Sequence, residues 1–270
     1  MNIKSDSTTS VPSNRYTIDY FLAHSDGHKE FQSTKGHELP PRLKAALEMA
    51  EIRPGMVILD IGCGRGEILY HAYQKGAIGW GLDFSKSAIE IITKTYNDLI
   101  FNQPRNRIYL QRANATDLPY GGEHFDVVFL LDIVEHLNPQ ELEKTLRGIS
   151  RVLKKNGTLI LHTMPNLWYY RFGYPLYRAF QFLRGIKLPK DPRDRWEYKD
   201  VHVNEQTPRS LAITLKQYGY EGKITVTSVV NYPDESNQMV KKVMIFISRA
   251  PILRWIFGND IFAIVKRQSK

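Results

Sequence analysis

Cysteine is nearly missing from this sequence: Cys63 stands alone among 270 residues. That excludes an intramolecular disulfide and a cysteine-rich zinc site. Long apolar runs are missing too, and none approaches the ~20 uncharged residues a bilayer-crossing helix needs. Met1 to Asn14 is rich in Ser, Thr and Asn and lacks the apolar centre of a secretory signal, so it is expected to be a flexible tail. Acidic charge is short as well, with 28 Asp and Glu against 37 Lys and Arg, a formal net charge of +9. Such an excess suits nucleic acid, an anionic membrane surface or an acidic small molecule without choosing among them. A cytoplasmic enzyme fits these absences best.

What is present describes a globular chain. Apolar residues make up 42% and charged residues 24%, close to the averages of soluble domains. The length favours one domain with insertions, expected over residues 15–270. Val57 to Ile61 reads as a buried strand that runs into Gly62-Cys63-Gly64-Arg65-Gly66. A helix over Glu67 to Lys75, a strand from Ala77 to Asp83 and a helix capped by Ser85 and running to Asn97 follow. Arg107 to Gln111 is a third strand. Phe125 to Leu131 is the clearest interior strand, apolar on both faces. Leu142, Leu146, Ile149 and Leu153 recur at helical spacing, and that helix is expected to stop at Asn156-Gly157. Strands at Thr158 to Thr163, Lys223 to Val230 and Ile261 to Val265 complete the series, with a helix from Thr207-Pro208 to Gly219 between them. The alternation predicts an α/β fold: a doubly wound, mostly parallel seven-stranded sheet whose last two strands form an antiparallel edge. In such sheets ligands bind at the carboxyl ends of the strands.

The loop after the first strand lets a ligand approach the backbone, and the helix start behind it offers amide donors. Asp83 follows Gly64 by about the ~20 residues expected of an acid that takes ribose hydroxyls. Together they point to an adenosine ligand, although the glycines alone would also serve a structural turn. The spacing G-x-G-x-G, with Glu67 where a third fingerprint glycine would stand, disfavours a nicotinamide dinucleotide. The run from Val57 to Gly66 closely resembles the first motif of class I S-adenosylmethionine-dependent methyltransferases. Gly81 to Ser85 resembles the second motif, Asn114 to Pro119 the adenine-side loop and Phe125 to Leu137 the fourth motif. Arg151 to Gly157 looks like the turn before the family's fifth strand. The resemblance, good over Leu43 to Met164, implies a Rossmann-like methyltransferase fold with S-adenosylmethionine as cofactor and S-adenosylhomocysteine as product. Gly62 and Gly64, with Asp60 holding the loop, would take the methionine part; Asp83 would take the ribose; Asn114 and the Ala115 amide would read adenine. Cys63, Phe84 and Leu131 flank these positions and complete the expected cofactor site. Asn114 departs from the family's usual Asp, but it can still accept a hydrogen bond.

Methyl transfer from a sulfonium needs an aligned acceptor and, for a hydroxyl, one base. His136 is the candidate base, with Glu135 or Asp132 orienting it, since a histidine titrates near neutrality. Capping the next helix is the structural alternative for Glu135 and His136. Similar small-molecule methyltransferases, quinone and sugar types among them, carry such an acid–histidine pair at this position. The Asn/Asp-Pro-Pro-aromatic motif of enzymes that methylate amino groups of nucleic acids is absent, so DNA is not an expected acceptor. No metal is expected either.

Residues 166–200 are unusually aromatic and basic, and the resemblance makes them a helical lid over the acceptor. Trp168, Tyr169 and Tyr174, with His202 beyond the lid, are the candidate acceptor-binding residues; packing against the core is the alternative. Residues 239–257 alternate Lys and Arg with large apolar side chains, a pattern that suits either an anionic membrane surface or ordinary packing with snorkelling cations. The reading is therefore a small-molecule methyltransferase, most simply an O-methyltransferase of a hydrophobic or lipid-linked acceptor, with possible peripheral contact with an anionic membrane. Methylation of RNA or protein, or a scaffold that keeps the cofactor fold without turnover, are the alternatives. No pattern in the sequence bears on oligomeric state.

Overall fold

The structure, a computed structural model, describes residues 11–97, 107–195, 199–228, 235 and 237–268. Its strands are β1 (Val57–Ile61), β2 (Ile78–Asp83), β3 (Ile108–Arg112), β4 (Phe125–Leu131), β5 (Leu153–Thr163), β6 (Tyr220–Thr227) and β7 (Asp260–Arg267). They form one seven-stranded sheet in the order β3-β2-β1-β4-β5-β7-β6. Strands β1 to β5 pair in parallel with one another, and β7 runs antiparallel to both β5 and β6. The doubly wound sheet with an antiparallel edge is as expected from the sequence. Strand order reverses at β1, which opens the crevice where such sheets bind ligands.

The helices are α1 (His28–Thr34), α2 (Pro41–Met49), α3 (Glu67–Gln74), α4 (Lys86–Thr95), α5 (Pro139–Val152), α6 (Tyr174–Leu183), α7 (Pro208–Gln217), α8 (Gln238–Arg249) and the short α9 (Arg254–Phe257). Two cores cover the two sheet faces. Leu59, Val128 and Leu130 turn one way and meet Leu142, Leu146 and Ile149 of α5 and Leu211 and Leu215 of α7. Ile58, Val127 and Phe129, one residue out of step, turn the other way and meet Ala46 and Leu47 of α2, Ile68 and Leu69 of α3 and Ile92 of α4. The two-residue period of a strand makes both faces apolar, which is why β1 and β4 read as continuous hydrophobic runs.

Local chemistry sets the helix starts. Ser85 caps α4, Asn138 and Glu141 form a reciprocal capping box at α5, and Thr207 and Ser210 form one at α7; each cap is worth about 1 kcal/mol. One expected boundary moves. The helix reaching toward Asn156-Gly157 ends instead at Val152, and Leu153 to Gly157 belong to β5. The cause is tertiary: the amides of Glu123 and His124 take the carbonyls of Arg151 and Val152, and Leu153 pairs with Phe125 at the head of β4. Strand β6 also begins earlier than expected, at Tyr220, whose hydroxyl donates to the Leu146 carbonyl. Val229 and Val230, the expected end of that strand, lie outside the described residues, as does most of the expected tail, residues 1–10. Val11 is half-buried against a small aromatic cluster of Tyr16, Phe21 and Phe31.

Candidate active site

The carboxyl ends of β1, β2 and β4 open into a cavity of about 1050 Å³. Gly62, Gly64 and Gly66 all have left-handed backbone, at φ 72, 51 and 84°, a region that only glycine enters without strain. At Gly62 the lack of a side chain is also spatial, because a Cβ would lie 2.2 Å from Ile133 Cδ1. The Gly62 and Cys63 amides donate to the Leu82 carbonyl and hold the loop beside β2. The Gly64 amide reaches Asp83 Oδ2 at 3.0 Å, and the Ser85 amide reaches Oδ1 at 2.8 Å. Burial, followed by repulsion from Glu67 and Asp83, pushes the Asp60 carboxyl up to about 8. Burial likewise raises Asp83 to about 6 against the lowering effect of its backbone donors, and it raises the Cys63 thiol. Buried acidic groups on one wall of the cavity, Asp60 and Asp83 among them, favour a cationic occupant. A glycine cradle lets the ligand's backbone-sized end approach. Both features fit the ammonium and sulfonium of S-adenosylmethionine.

Phe84, Asn114, Ala115 and Leu131 also line the cavity. Asn114 departs from its expected use: its Oδ1 accepts from the amide and the hydroxyl of Thr116, each at 3.0 Å. Both lone pairs are occupied by its own turn, so the side-chain acceptor expected to read adenine is directed elsewhere.

Around the end of β4, Asp132, Glu135 and His136 all line the cavity, and His202 joins them. The expected orientation of His136 by Glu135 or Asp132 is not what the geometry shows. Its Nδ1 lies 3.0 Å from the Val201 carbonyl, whereas Glu135 accepts from the Thr163 hydroxyl at 2.7 Å. Burial, then the neighbouring His202, lowers His136 to about 4. The ring is therefore neutral near pH 7, with its proton on Nδ1 facing the carbonyl and Nε2 left as an acceptor. Burial, then repulsion from Asp132, raises Glu135 to about 7. The donor atoms of Glu135, His136 and His202 lie within 4.8 Å of one another, so this trio has the ligand types and closeness to hold a divalent cation.

Asp132 sits in left-handed backbone at φ 56° and is tied beneath the cavity. Its carboxylate takes Arg42 Nε and His162 Nδ1, both at 2.5 Å, and His162 Nε2 lies 3.2 Å from Asp260. Burial opposes ionisation of Asp132, but Arg42 and His162 outweigh it and hold the carboxyl well below its usual range. Of the lid residues, Tyr169 and Tyr174 line the cavity. Trp168 does not: it packs edge-on against Trp255, with ring centroids 6.5 Å apart.

A methyltransferase-domain family model matches residues 59–161, the stretch that carries the glycine cradle, Asp83 and the Asp132 to His136 turn. A ubiquinone biosynthesis O-methyltransferase of Bartonella bacilliformis is 30% identical over 197 residues, covering 72% of this chain and 73% of its own. The chain belongs to the class I S-adenosylmethionine-dependent methyltransferases. An uncharacterised methyltransferase of Synechocystis is 33% identical over 134 residues, which span 49% of this chain and 56% of that relative; the match thus covers little more than half the relative's length. The fold of a geranyl diphosphate C-methyltransferase from Streptomyces coelicolor superposes with a TM-score of 0.61 at 14% identity, covering 96% of this chain and 100% of that one.

Residues that sequence reading passed over also line the cavity of this methyltransferase. Tyr16, Tyr20 and Phe21, from the amino-terminal side, line the cavity, and the Tyr16 and His136 rings meet edge to face at 5.9 Å. Arg65, buried inside the glycine loop, grips that segment: it donates to the Phe21 and Asp26 carbonyls, to Ser25 Oγ and to Glu67. The aromatic cluster Tyr16 to Phe21 just past the polar start was one available signal. A histidine inside the apolar run of β5 was another, because a buried charge needs partners.

Proposed function

We propose that this methyltransferase methylates a hydroxyl oxygen of a small, largely apolar acceptor, with His136 as general base. The supporting observation is the neutral His136 ring, oriented by the Val201 carbonyl, in a cavity shared with Tyr16, Tyr20, Tyr169 and Tyr174. S-adenosylmethionine supplies, when bound, a methyl group already activated on a sulfonium. The protein's own task is to align the acceptor and remove its proton. His136 Nε2 takes the hydroxyl proton while Nδ1–H stays on the Val201 carbonyl, which offsets part of the burial and of the His202 charge that oppose the imidazolium. The aromatic walls suit a ring-shaped or prenyl-like acceptor. The name of the Bartonella relative, a ubiquinone biosynthesis O-methyltransferase, agrees with this class of acceptor.

The test uses methyl-labelled S-adenosylmethionine with an extract of the source cells, followed by separation of organic-soluble, small aqueous and macromolecular products. Label should enter the organic fraction, and His136→Ala should slow turnover by ~10²–10⁴-fold with S-adenosylhomocysteine affinity unchanged. Full turnover by His136→Ala sinks the base assignment. Label confined to RNA or protein sinks the acceptor assignment, and cofactor binding with no labelled product in any fraction would favour the scaffold reading.

A further inference from the structure

Of the fourteen large hydrophobic residues exposed among the described ones, eleven fall in two segments, Phe172 to Ile186 and Met239 to Leu253. Exposed apolar groups scattered singly need no explanation, but a cluster of this kind marks a surface with a partner. The segments adjoin in space. Buried Glu235, just ahead of α8, accepts from Arg184 and from Gln181 of α6, and Gly173, at the head of α6, lies against the Ile256 carbonyl of α9.

Helix α6 is apolar on two opposed sides. Tyr174, Tyr177 and Gln181 turn inward, the tyrosines lining the cavity, while Leu176, Phe180 and Leu183 face solvent, Leu183 at 84% exposure. Helix α8 buries only Ser248, although Val, Met, Ile and Phe fill most of it. Phe246 is 73% exposed, and Ile252, in the turn after α8, is 80% exposed. Neither pattern suits a helix facing only water.

Charge names the partner. Arg171 to Lys190 and Gln238 to Phe257 together hold nine Lys and Arg and no Asp or Glu, as many positive charges as the chain's whole formal net charge of +9. Buried Glu235 pairs with Arg184. Apolar side chains projecting among cations, in segments whose own sequence carries no Asp or Glu, match the headgroup layer of an anionic bilayer: aliphatic and aromatic groups enter the acyl boundary and Lys and Arg stay at the phosphates. No helix among the described residues is long and apolar enough to cross a membrane, so the contact is with the surface.

We infer that the outer faces of α6 and α8, with the turn through Ile252, dock this enzyme on an anionic phospholipid bilayer, setting the lid side of the cavity against the lipid. The docking surface is independent of which atom is methylated.

Co-sedimentation tests it with the full chain, using vesicles of phosphatidylcholine alone and of phosphatidylcholine with about one third phosphatidylglycerol, at about 100 mM salt. The expected result is binding to the anionic vesicles only, weakening as salt rises. Lys241→Glu with Lys242→Glu should reduce the partition coefficient by roughly 20-fold or more, since each cation near such a surface contributes about fivefold. Phe246→Ser with Ile252→Ser should also weaken binding, and thermal melting with S-adenosylhomocysteine binding checks that both variants remain folded. Equal binding to both vesicle types, or to neither, overturns the proposal. So does a dimer in light scattering that Phe246→Ser dissociates, which would assign the face to a second copy, or retention on RNA without retention on vesicles.

Discussion

Replacing His162 tests whether the charged network under the cavity is built as its geometry implies. The ring is 1% exposed, and its two nitrogens each face a carboxylate, Asp132 at 2.5 Å and Asp260 at 3.2 Å. A neutral imidazole would set a bare lone pair against one of them, so the doubly protonated ring is the form that satisfies both. Burial alone would lower the histidine, but Asp132 and then Asp260 overcome it and raise His162 from 6.5 to about 9. At about 1.4 kcal/mol per pH unit, this corresponds to a stabilisation of roughly 3 kcal/mol. The sign follows from linkage. A group whose folded value lies above its unfolded one contributes fully below pH 6.5 and loses that contribution as pH rises through about 9. His162→Gln keeps much of the volume and a donor but no charge. At about pH 6 it should be less stable than the parent by roughly 3 kcal/mol, with the gap closing toward about pH 10. Urea unfolding followed by circular dichroism at the two pH values measures this, and the parent corrects for every other titrating group. A gap of the same size at both pH values would refute a charged His162.

Three further outcomes follow from the site. Arg65→Met removes the donors to Phe21, Ser25 and Asp26, so calorimetry should show S-adenosylhomocysteine binding at least ~10-fold weaker; unchanged affinity would mean the amino-terminal segment does not cover the cofactor. Asp83, raised to about 6 by burial, accepts hydrogen bonds from ribose more strongly as the carboxylate, so cofactor affinity should fall as pH drops below about 6 and Asp83→Asn should flatten that dependence. A slope that persists in Asp83→Asn would assign it to another group. Exhaustive chelation should leave turnover intact if His136 alone removes the proton, whereas loss restored by a divalent cation would make Glu135, His136 and His202 a metal site.

Much of the cofactor half was legible because its causes are local. A buried parallel strand must be apolar on both faces, a chain that turns sharply at its end needs glycine, and an acid at the end of the next strand is adjacent by topology; Gly62, Gly64 and Asp83 meet for these reasons. The turn after β4 was singled out in the sequence, but its partners were misread. The turn from Asp132 to His136 was singled out, yet Val201, sixty-five positions on from His136, orients the ring, while Arg42 and His162 hold Asp132. Trp168 was chosen for its type and lies against Trp255 instead.

Sequence alone determined the seven strands and the helices α3, α4, α5 and α7 between them, the glycine cradle and its acid, and the concentration of positive charge in two aromatic and aliphatic stretches. These rest on periodicity, backbone conformation and composition, which act over a few residues. Only the tertiary structure decided that α5 gives way to strand at Leu153, that Arg65 bonds to Phe21, Ser25 and Asp26, that Arg42, Asp132, His162 and Asp260 share one buried network, and that Glu235, ahead of α8, is bonded to Gln181 of α6. Each depends on a hydrogen bond, charge or packing contact between segments far apart in the chain, whose partner is chosen by the folded geometry.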